Sequence, residues 1–183
     1  MNEKENRKIR YTKMVLRDSI IELMKTKSIL NITIKDICEL ADISRSTFYS
    51  HFKDQYDLLR QIEVETLTFF ENMLNNYKNI SSKEEITKMV EEMLTYIANN
   101  SNSIQVLLSE NGDIDFQKKV FQHFTSHKQL AKYFSEKKQD NETNTSNSIF
   151  LVYGSIGLVQ YWLKNNQSIP IPKLAKIMLK WAE

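Results

Sequence analysis

The sequence predicts an all-α protein with a three-helix helix-turn-helix head and a larger helical C-terminal domain. Three observations predict this fold class. The 183 residues include only three glycines and two prolines, and this scarcity favours long helices over strands joined by turns. Apolar residues recur at helical spacing along most of the chain. Polar residues suited to N-caps precede several of these amphipathic segments.

The composition is typical of a soluble globular chain and narrows the function classes. Hydrophobic residues make up 41% of the sequence and charged residues 26%. Residues 1–60 hold 12 basic and 9 acidic side chains, a balance of +3, whereas the whole chain carries +2. The single cysteine, Cys38, excludes an intramolecular disulfide, suits a reducing cytoplasm and is predicted to be buried. Because the sequence contains no G-x-S-x-G, P-loop or G-x-G-x-x-G motif, we expect no enzyme activity and no cofactor.

The first helix is predicted over residues 8–27. Leu16, Ile20 and Leu23 lie on its inner face. Residues 1–8 are polar and charged and are predicted to form a mobile arm. Two interpretations of this arm stay open, namely contact with DNA phosphates or a minor groove and a solvated tail.

Two short helices joined by a tight turn then describe a helix-turn-helix. Thr33 is a predicted N-cap, and Asp36 completes a capping box with it. Residues 42–43 interrupt the helical pattern, and Ser44 caps the next helix. A short second helix with outward-facing polar side chains is typical of a recognition helix.

The recognition helix has distinct inner and outer faces. Phe48 and Phe52, spaced i and i+4, are predicted to be buried. The predicted outward-facing side chains are Arg45, Ser46, Thr47, Tyr49 and His51.

Residues 44–52, with the sequence S-R-S-T-F-Y-S-H-F, resemble the diagnostic stretch of the TetR family of transcriptional regulators. The resemblance is strong over residues 8–62 and only architectural beyond them. The family usually carries glycine where this chain has Asp42, at a position that requires a left-handed backbone. Because aspartate tolerates that conformation better than most residues, we expect the turn to form.

The helix-turn-helix predicts contacts with double-stranded DNA. Arg45 is the strongest candidate for base reading, because its guanidinium matches a guanine edge in the major groove. Ser46 and Lys35 are weaker candidates for the same task. The hydrogen-bond donors suited to phosphates, which set the register on DNA, are Thr33, Thr47, Tyr49 and His51.

Beyond the head, the pattern predicts a domain boundary at residue 53. Residues 1–53 form the DNA-binding domain, and residues 54–183 form a regulatory and dimerisation domain. A long helix capped by Asp54 and Asp57 opens this second domain. A further helix is predicted from a start at residues 81–85 to residue 97, followed by a break at residues 99–102. The remaining helices are predicted over residues 104–108, 116–134, 149–164 and 172–181. Residues 135–147 are predicted to be a flexible loop, and Pro172 is expected at the first position of the last helix.

The C-terminal domain is predicted to hold a dimer interface and an apolar ligand cavity. Excess apolar surface on the last two helices favours a homodimeric four-helix bundle, and the family resemblance implies the same arrangement. The predicted interface residues are Ile149, Val152, Ile156, Gly157, Leu163, Leu174, Ile177, Met178 and Trp181. The resemblance also implies an inducer pocket, for which the candidate lining residues are Tyr96, Phe121, Phe124, Phe150, Tyr153 and Tyr161. No metal site is predicted, because His123 and His127 at i and i+4 lack a third ligand nearby in the sequence.

Together with the helix-turn-helix, the family resemblance implies a sequence-specific DNA-binding repressor that a small molecule releases from a palindromic operator. The alternative is a DNA-binding co-activator or scaffold whose C-terminal domain docks a protein partner. A membrane location is not expected, because the longest apolar run, residues 149–163, is too short and too polar to cross a bilayer.

Overall fold

The computed structural model describes residues 3–77, 82–126 and 141–180. Within these residues the chain is helical and contains no strand, which confirms the all-α prediction. One short 3-10 turn spans Ile29–Asn31. The helices are α1 (Glu3–Met24), α2 (Ile34–Ala41), α3 (Arg45–Tyr49), α4 (Gln55–Asn76), α5 (Lys83–Asn99), α6 (Ser101–Leu107), α7 (Ile114–Thr125), α8 (Asn141–Lys164) and α9 (Ile171–Lys180).

The chain divides into two compact units. The first comprises residues 1–66 with residues 106–113, and the second comprises residues 67–105 and 114–183. The first unit therefore extends past residue 53 and includes the first half of α4. The functional boundary at residue 53 stays a prediction.

In the first unit, α1 packs on α2 and α2 packs on α3. The core between them is apolar and closed, because Leu16, Ile20, Ile37 and Phe48 are all fully buried. Burying one such side chain stabilises the fold by about 1.5–3 kcal/mol. This core fixes the position of α3.

The helix starts agree with the capping patterns in the sequence. The Thr33 hydroxyl accepts a hydrogen bond from the Asp36 amide at 3.2 Å, and the Asp36 carboxylate accepts one from the Thr33 amide at 2.9 Å. This reciprocal pair is the predicted capping box. In the first turn of α4, the Asp57 amide donates to the Asp54 carboxylate at 2.7 Å.

In the second unit, α5 packs against α9, α7 against α8, and α8 against α9. Trp162 of α8 is 1% exposed, and its indole Nε1 donates to the Ile169 carbonyl at 2.8 Å. Ile86 and Leu94 of α5 are also fully buried. None of the helices in the described part of the chain has the length and apolarity needed to cross a membrane.

Several predicted boundaries are wrong. Residues 3–8 belong to α1 and do not form an arm, and residues 141–147 belong to α8 and do not form a loop. Helix propensity is a weak guide at such helix ends, since one extra residue adds one hydrogen bond to a helix that already exists. The rest of the predicted loop, residues 135–140, lies outside the described residues.

Smaller differences concern three other helices. The predicted break after α5 shrinks to Asn100, because α6 already begins at Ser101. Pro172 is the second residue of α9 and not the first. Helix α7 begins at Ile114, two residues early, and its predicted end at residue 134 lies outside the described residues.

Candidate nucleic-acid interface

The start of α3 is held by a small cluster of hydroxyl groups. Ser44 Oγ accepts a hydrogen bond from the Thr47 amide at 3.1 Å. The same oxygen lies 2.9 Å from Ser46 Oγ and 2.9 Å from Thr47 Oγ1. Ser44 is therefore the predicted N-cap, and it orients two of the side chains that were predicted to face DNA.

The turn between α2 and α3 depends on a left-handed residue. Asp42 has φ 52° and ψ 44°. This conformation lets the Ile43 amide donate to the Cys38 carbonyl at 3.0 Å and the Asp42 amide to the Glu39 carbonyl at 3.4 Å. The pair of bonds satisfies carbonyls that the last turn of α2 would otherwise leave open. Asp42 thus forms the expected turn, at the position where the resemblance implies glycine.

Two phenylalanines anchor α3 to the core. Phe48 is fully buried and Phe52 is 3% exposed, and their ring centroids lie 5.8 Å apart. Lys13 Nζ of α1 lies 5.8 Å from the Phe52 ring centroid, within the range of a cation–π contact. These contacts hold the inner face of α3 on the core, and this fixes the direction in which its outer face points.

The outer face presents most of the predicted DNA-contacting side chains to solvent. Arg45, Ser46 and Tyr49 are exposed on α3. Thr33 and Lys35 are exposed at the start of α2, whereas Thr47 and His51 are half-buried. Both helices of the motif therefore present exposed hydrogen-bond donors to solvent. Their contacts with DNA stay a prediction.

An open depression of about 500 Å³ lies beside this face. Its lining residues are Lys35, Cys38, Glu39, Asp42, Ile43, Ser44 and Arg45.

Two titratable groups in this region have shifted pKa values, and each shift has a structural cause. Burial raises the pKa of the Cys38 thiol, and the positive charge of Arg45 only partly opposes this shift. The residue Cys38 is 6% exposed, in keeping with the predicted structural role. Hydrogen bonds from the Thr33 amide and hydroxyl lower the pKa of Asp36.

The aromatic residues predicted to line a pocket fall into separate groups in the second unit. Tyr96 stacks on Phe69 with ring centroids 3.6 Å apart, and Phe124 meets Phe70 edge-on at 5.6 Å. Phe70 also meets Tyr96 edge-on at 5.5 Å. Phe69 was not among the residues predicted to line the pocket. Its position next to Phe70, an aromatic residue of the predicted inner face, could have indicated it.

The remaining pocket candidates belong to α7 and α8. Phe121 of α7 contacts Tyr153 of α8 at 4.1 Å between ring centroids. Phe150 is 64% exposed and Tyr161 is 60% exposed, so both lie on the surface of the protomer.

The residues predicted to form the dimer interface differ in their exposure to solvent. Ile149 and Gly157 are exposed on α8, and Leu163 and Leu174 are buried inside the protomer. The half-buried members are Val152, Ile156, Ile177 and Met178. Trp181 lies outside the described residues.

No metal-binding group of three or more His, Cys, Asp or Glu side chains occurs among the described residues. His123 is half-buried on α7. His127, the second member of the spaced pair, lies outside the part of the chain that the structure describes.

Comparison with known proteins identifies both halves of the chain. Residues 16–62 match the family described as bacterial regulatory proteins, tetR family. Residues 84–183 match a transcriptional regulator C-terminal region. No curated protein matches the chain.

Solved structures share the fold at low sequence identity. A TetR transcriptional regulator from Streptococcus agalactiae 2603V is 23% identical, with a TM-score of 0.66 and coverage of 98% of this chain and 97% of that one. The dihydroxyacetone kinase operon activator DhaS is 19% identical, with a TM-score of 0.55 and 93% coverage of both chains. FadR from Bacillus subtilis, in complex with stearoyl-CoA, is 17% identical, with a TM-score of 0.64 and coverage of 92% and 96%.

The capped and anchored recognition helix, together with the two family matches, defines a helix-turn-helix transcriptional regulator and not an enzyme. The C-terminal match alone covers more than half of the chain. The protein therefore belongs to the TetR family of bacterial transcriptional regulators.

Proposed function

We propose that this protein is a cytoplasmic homodimeric repressor that binds a palindromic operator and leaves it when an apolar ligand occupies the second unit. The observation that carries the DNA-binding part is the outer face of α3, where Arg45, Ser46 and Tyr49 are exposed while Phe48 holds the helix on the core. In this geometry each α3 enters the major groove of one half-site. We expect the half-sites to be centred about 34–36 Å apart, or somewhat more if the heads are splayed.

The two kinds of DNA contact are separable by substitution. Arg45→Ala is expected to cost roughly 1–3 kcal/mol on the operator and to relax specificity at one position per half-site, because a bidentate guanine contact is lost. Tyr49→Phe removes one hydroxyl and is expected to weaken binding to all sequences similarly. The salt dependence should change little, since a neutral phenol releases no counterion.

The experiment uses DNA that the purified protein selects from a random-sequence pool. Fluorescence anisotropy then measures dissociation constants for the selected operator and single-base variants at two salt concentrations. An equal loss for all variants with Arg45→Ala, and altered base preference with Tyr49→Phe, would show that the roles are reversed. If neither substitution changes binding, α3 is not the recognition helix.

The homodimer is supported by the exposed surface of α8. This helix carries apolar residues on all sides, and Ile149, Phe150, Tyr153 and Tyr161 are 42–64% exposed. A Cβ atom added at Gly157 would meet no atom within 4 Å, so the surface there is open to a second helix. Apolar surface of this kind is typical of an interface between copies.

Gly157→Glu tests the homodimer. We expect light scattering to show a dimer for the wild type and a monomer for the variant, because a carboxylate would be buried without a partner. Thr68→Glu, at an exposed position on α4, is the matched control and should stay dimeric. A monomeric wild type at micromolar concentration would refute the dimer and favour a protein partner on α8.

The ligand proposal rests on the aromatic groups of the second unit. Tyr96 with Phe69 and Phe121 with Tyr153 provide flat apolar surfaces on α4, α5, α7 and α8. Sites for apolar ligands are lined mainly by such side chains. FadR, which shares this fold, was solved with stearoyl-CoA bound. A ligand that binds the DNA-free state more tightly would shift the population away from DNA.

Stearoyl-CoA is therefore the first probe. We expect it to raise the melting temperature and to release fluorescent operator DNA, with free coenzyme A as the control. If neither compound has either effect, a long acyl chain is not the ligand.

Transcription from an operator-bearing promoter in a purified system tests the sign of regulation. A repressor lowers the transcript yield, and a higher yield would instead indicate an activator, as DhaS is described.

A further inference from the structure

The helix-turn-helix of this protein carries a net negative charge. Residues 33–52 contain two basic and three acidic side chains, a balance of −1, whereas residues 1–32 contain eight basic and four acidic ones, a balance of +4. DNA-binding surfaces are ordinarily basic, because neutralised phosphates release counterions. The acidic side chains of the motif therefore oppose its attraction to DNA.

Two of the three acidic residues have no structural need for their charge. Asp36 belongs to the capping box of α2. Asp42 provides the left-handed turn, but asparagine and glycine also adopt that conformation. Glu39 is exposed, and its Oε1 lies 3.6 Å from Lys35 Nζ in a surface pair that contributes little stability.

The two carboxylates lie near the side chain that is proposed to read a base. Glu39 and Asp42 line the same depression as Arg45. In helix-turn-helix complexes the first helix crosses the DNA backbone, and the recognition helix begins at the base edges. The turn between the helices therefore lies close to phosphates when the protein is docked.

We propose that Glu39 and Asp42 act as specificity-determining residues that suppress binding to non-operator DNA. The proposal rests on the proposed base contact of Arg45. On the wrong sequence, Arg45 finds no matching guanine edge and its remaining anionic partners are phosphates at the rim of the groove. The two carboxylates repel phosphates there and compete for the guanidinium.

On the operator, Arg45 reaches into the groove and donates two directional hydrogen bonds to guanine. That contact is made away from the rim, so the carboxylates weaken it less. Non-specific binding is almost wholly electrostatic and loses more. Built-in repulsion against the wrong partner is a general way to raise specificity.

The size of the effect follows from Coulomb interaction. A charge roughly 8 Å from a phosphate in water changes a binding constant by about two-fold. Asp42→Asn is therefore expected to tighten binding to non-operator DNA by about two-fold per head, or about four-fold for a dimer. Operator binding should tighten less, so the ratio of the two affinities should fall. Added salt should reduce the effect.

The experiment measures dissociation constants of the full-length protein for selected operator DNA and for a scrambled duplex. The measurements are made at 50 and 150 mM salt, because the strength of phosphate contacts changes strongly between these concentrations. Asp42→Asn keeps the tolerance for a left-handed backbone, and Glu39→Gln is a second, independent variant on the exposed face of α2. Asp18→Asn is the matched control, since it removes the same charge from an exposed position on α1.

We expect the operator preference to fall for both motif variants and to stay unchanged for Asp18→Asn. An unchanged preference in both motif variants overturns the proposal, and so does an equal fall in the control. If Arg45→Ala leaves the operator preference intact, Arg45 does not read the operator, and the proposal fails together with the base contact on which it rests. A wild type that binds no DNA would instead refute the proposed function itself.

Discussion

Replacing Gly112 with alanine is expected to lower the thermal stability of the protein. Gly112 lies in the turn after α6, and its amide donates to the Ser109 carbonyl at 3.1 Å. A Cβ atom at this position would lie 2.2 Å from the Leu107 carbonyl oxygen and 2.8 Å from that of Val106. Both neighbours are backbone atoms, so neither can move without changing the path of the chain.

The magnitude follows from the hydrogen bonds that the turn would lose. The Leu107 carbonyl must retreat by roughly 1 Å to reach an ordinary contact distance. This shift disturbs the bond from Gly112 to Ser109 and the neighbouring one from the Ser109 amide to the Val106 carbonyl at 3.0 Å. At about 1 kcal/mol per bond the cost is about 2 kcal/mol. For a chain of this length the melting temperature should fall by about 4–8 °C.

Gly154→Ala provides a control with the same chemical change. Gly154 lies inside α8, and a Cβ atom there would meet nothing within 4 Å. Alanine is about 0.5–1 kcal/mol better than glycine inside a helix, so this variant should melt at a higher temperature. Thermal unfolding followed by circular dichroism measures both shifts. The reasoning is refuted if Gly112→Ala has the melting temperature of the wild type.

Two further predictions concern one hydrogen-bonded side chain in each unit. Because hydrogen bonds from Thr33 lower the pKa of Asp36 in the folded state, its stabilising contribution is present above the unfolded pKa and is lost as pH falls through the folded pKa. The stability difference between wild type and Asp36→Asn in urea should therefore shrink on acidification, and a constant difference would contradict the assignment. Trp162→Phe should cost about 1–3 kcal/mol in the same assay, since it removes the donor to the Ile169 carbonyl; unchanged stability would mean that this bond contributes nothing.

The sequence by itself determined the local features of the head. The caps at Thr33 and Ser44 and the left-handed turn at Asp42 were predictable because each involves hydrogen bonds between groups only three to five residues apart. The burial of Phe48 and Phe52 followed from their spacing. The family resemblance then supplied the functional class, which the matches to both halves of the chain confirm.

Helix ends were less predictable, because they depend on the balance between weak propensity and the stability of the helix already formed. Residues 3–8 and 141–147 looked like an arm and a loop by composition. Both extend neighbouring helices in the structure. Once a helix is nucleated, adding polar residues to its end requires no second nucleation.

Only the tertiary structure decided which apolar side chains already have partners within one protomer. The sequence placed Leu163 and Leu174 with Ile149 in one predicted interface, yet the first two are buried and Ile149 is exposed. Likewise, the stacking of Phe69 on Tyr96 joins α4 to α5 across 27 positions in the sequence. Helical periodicity states which face of a helix is apolar, but the path of the chain determines what that face meets.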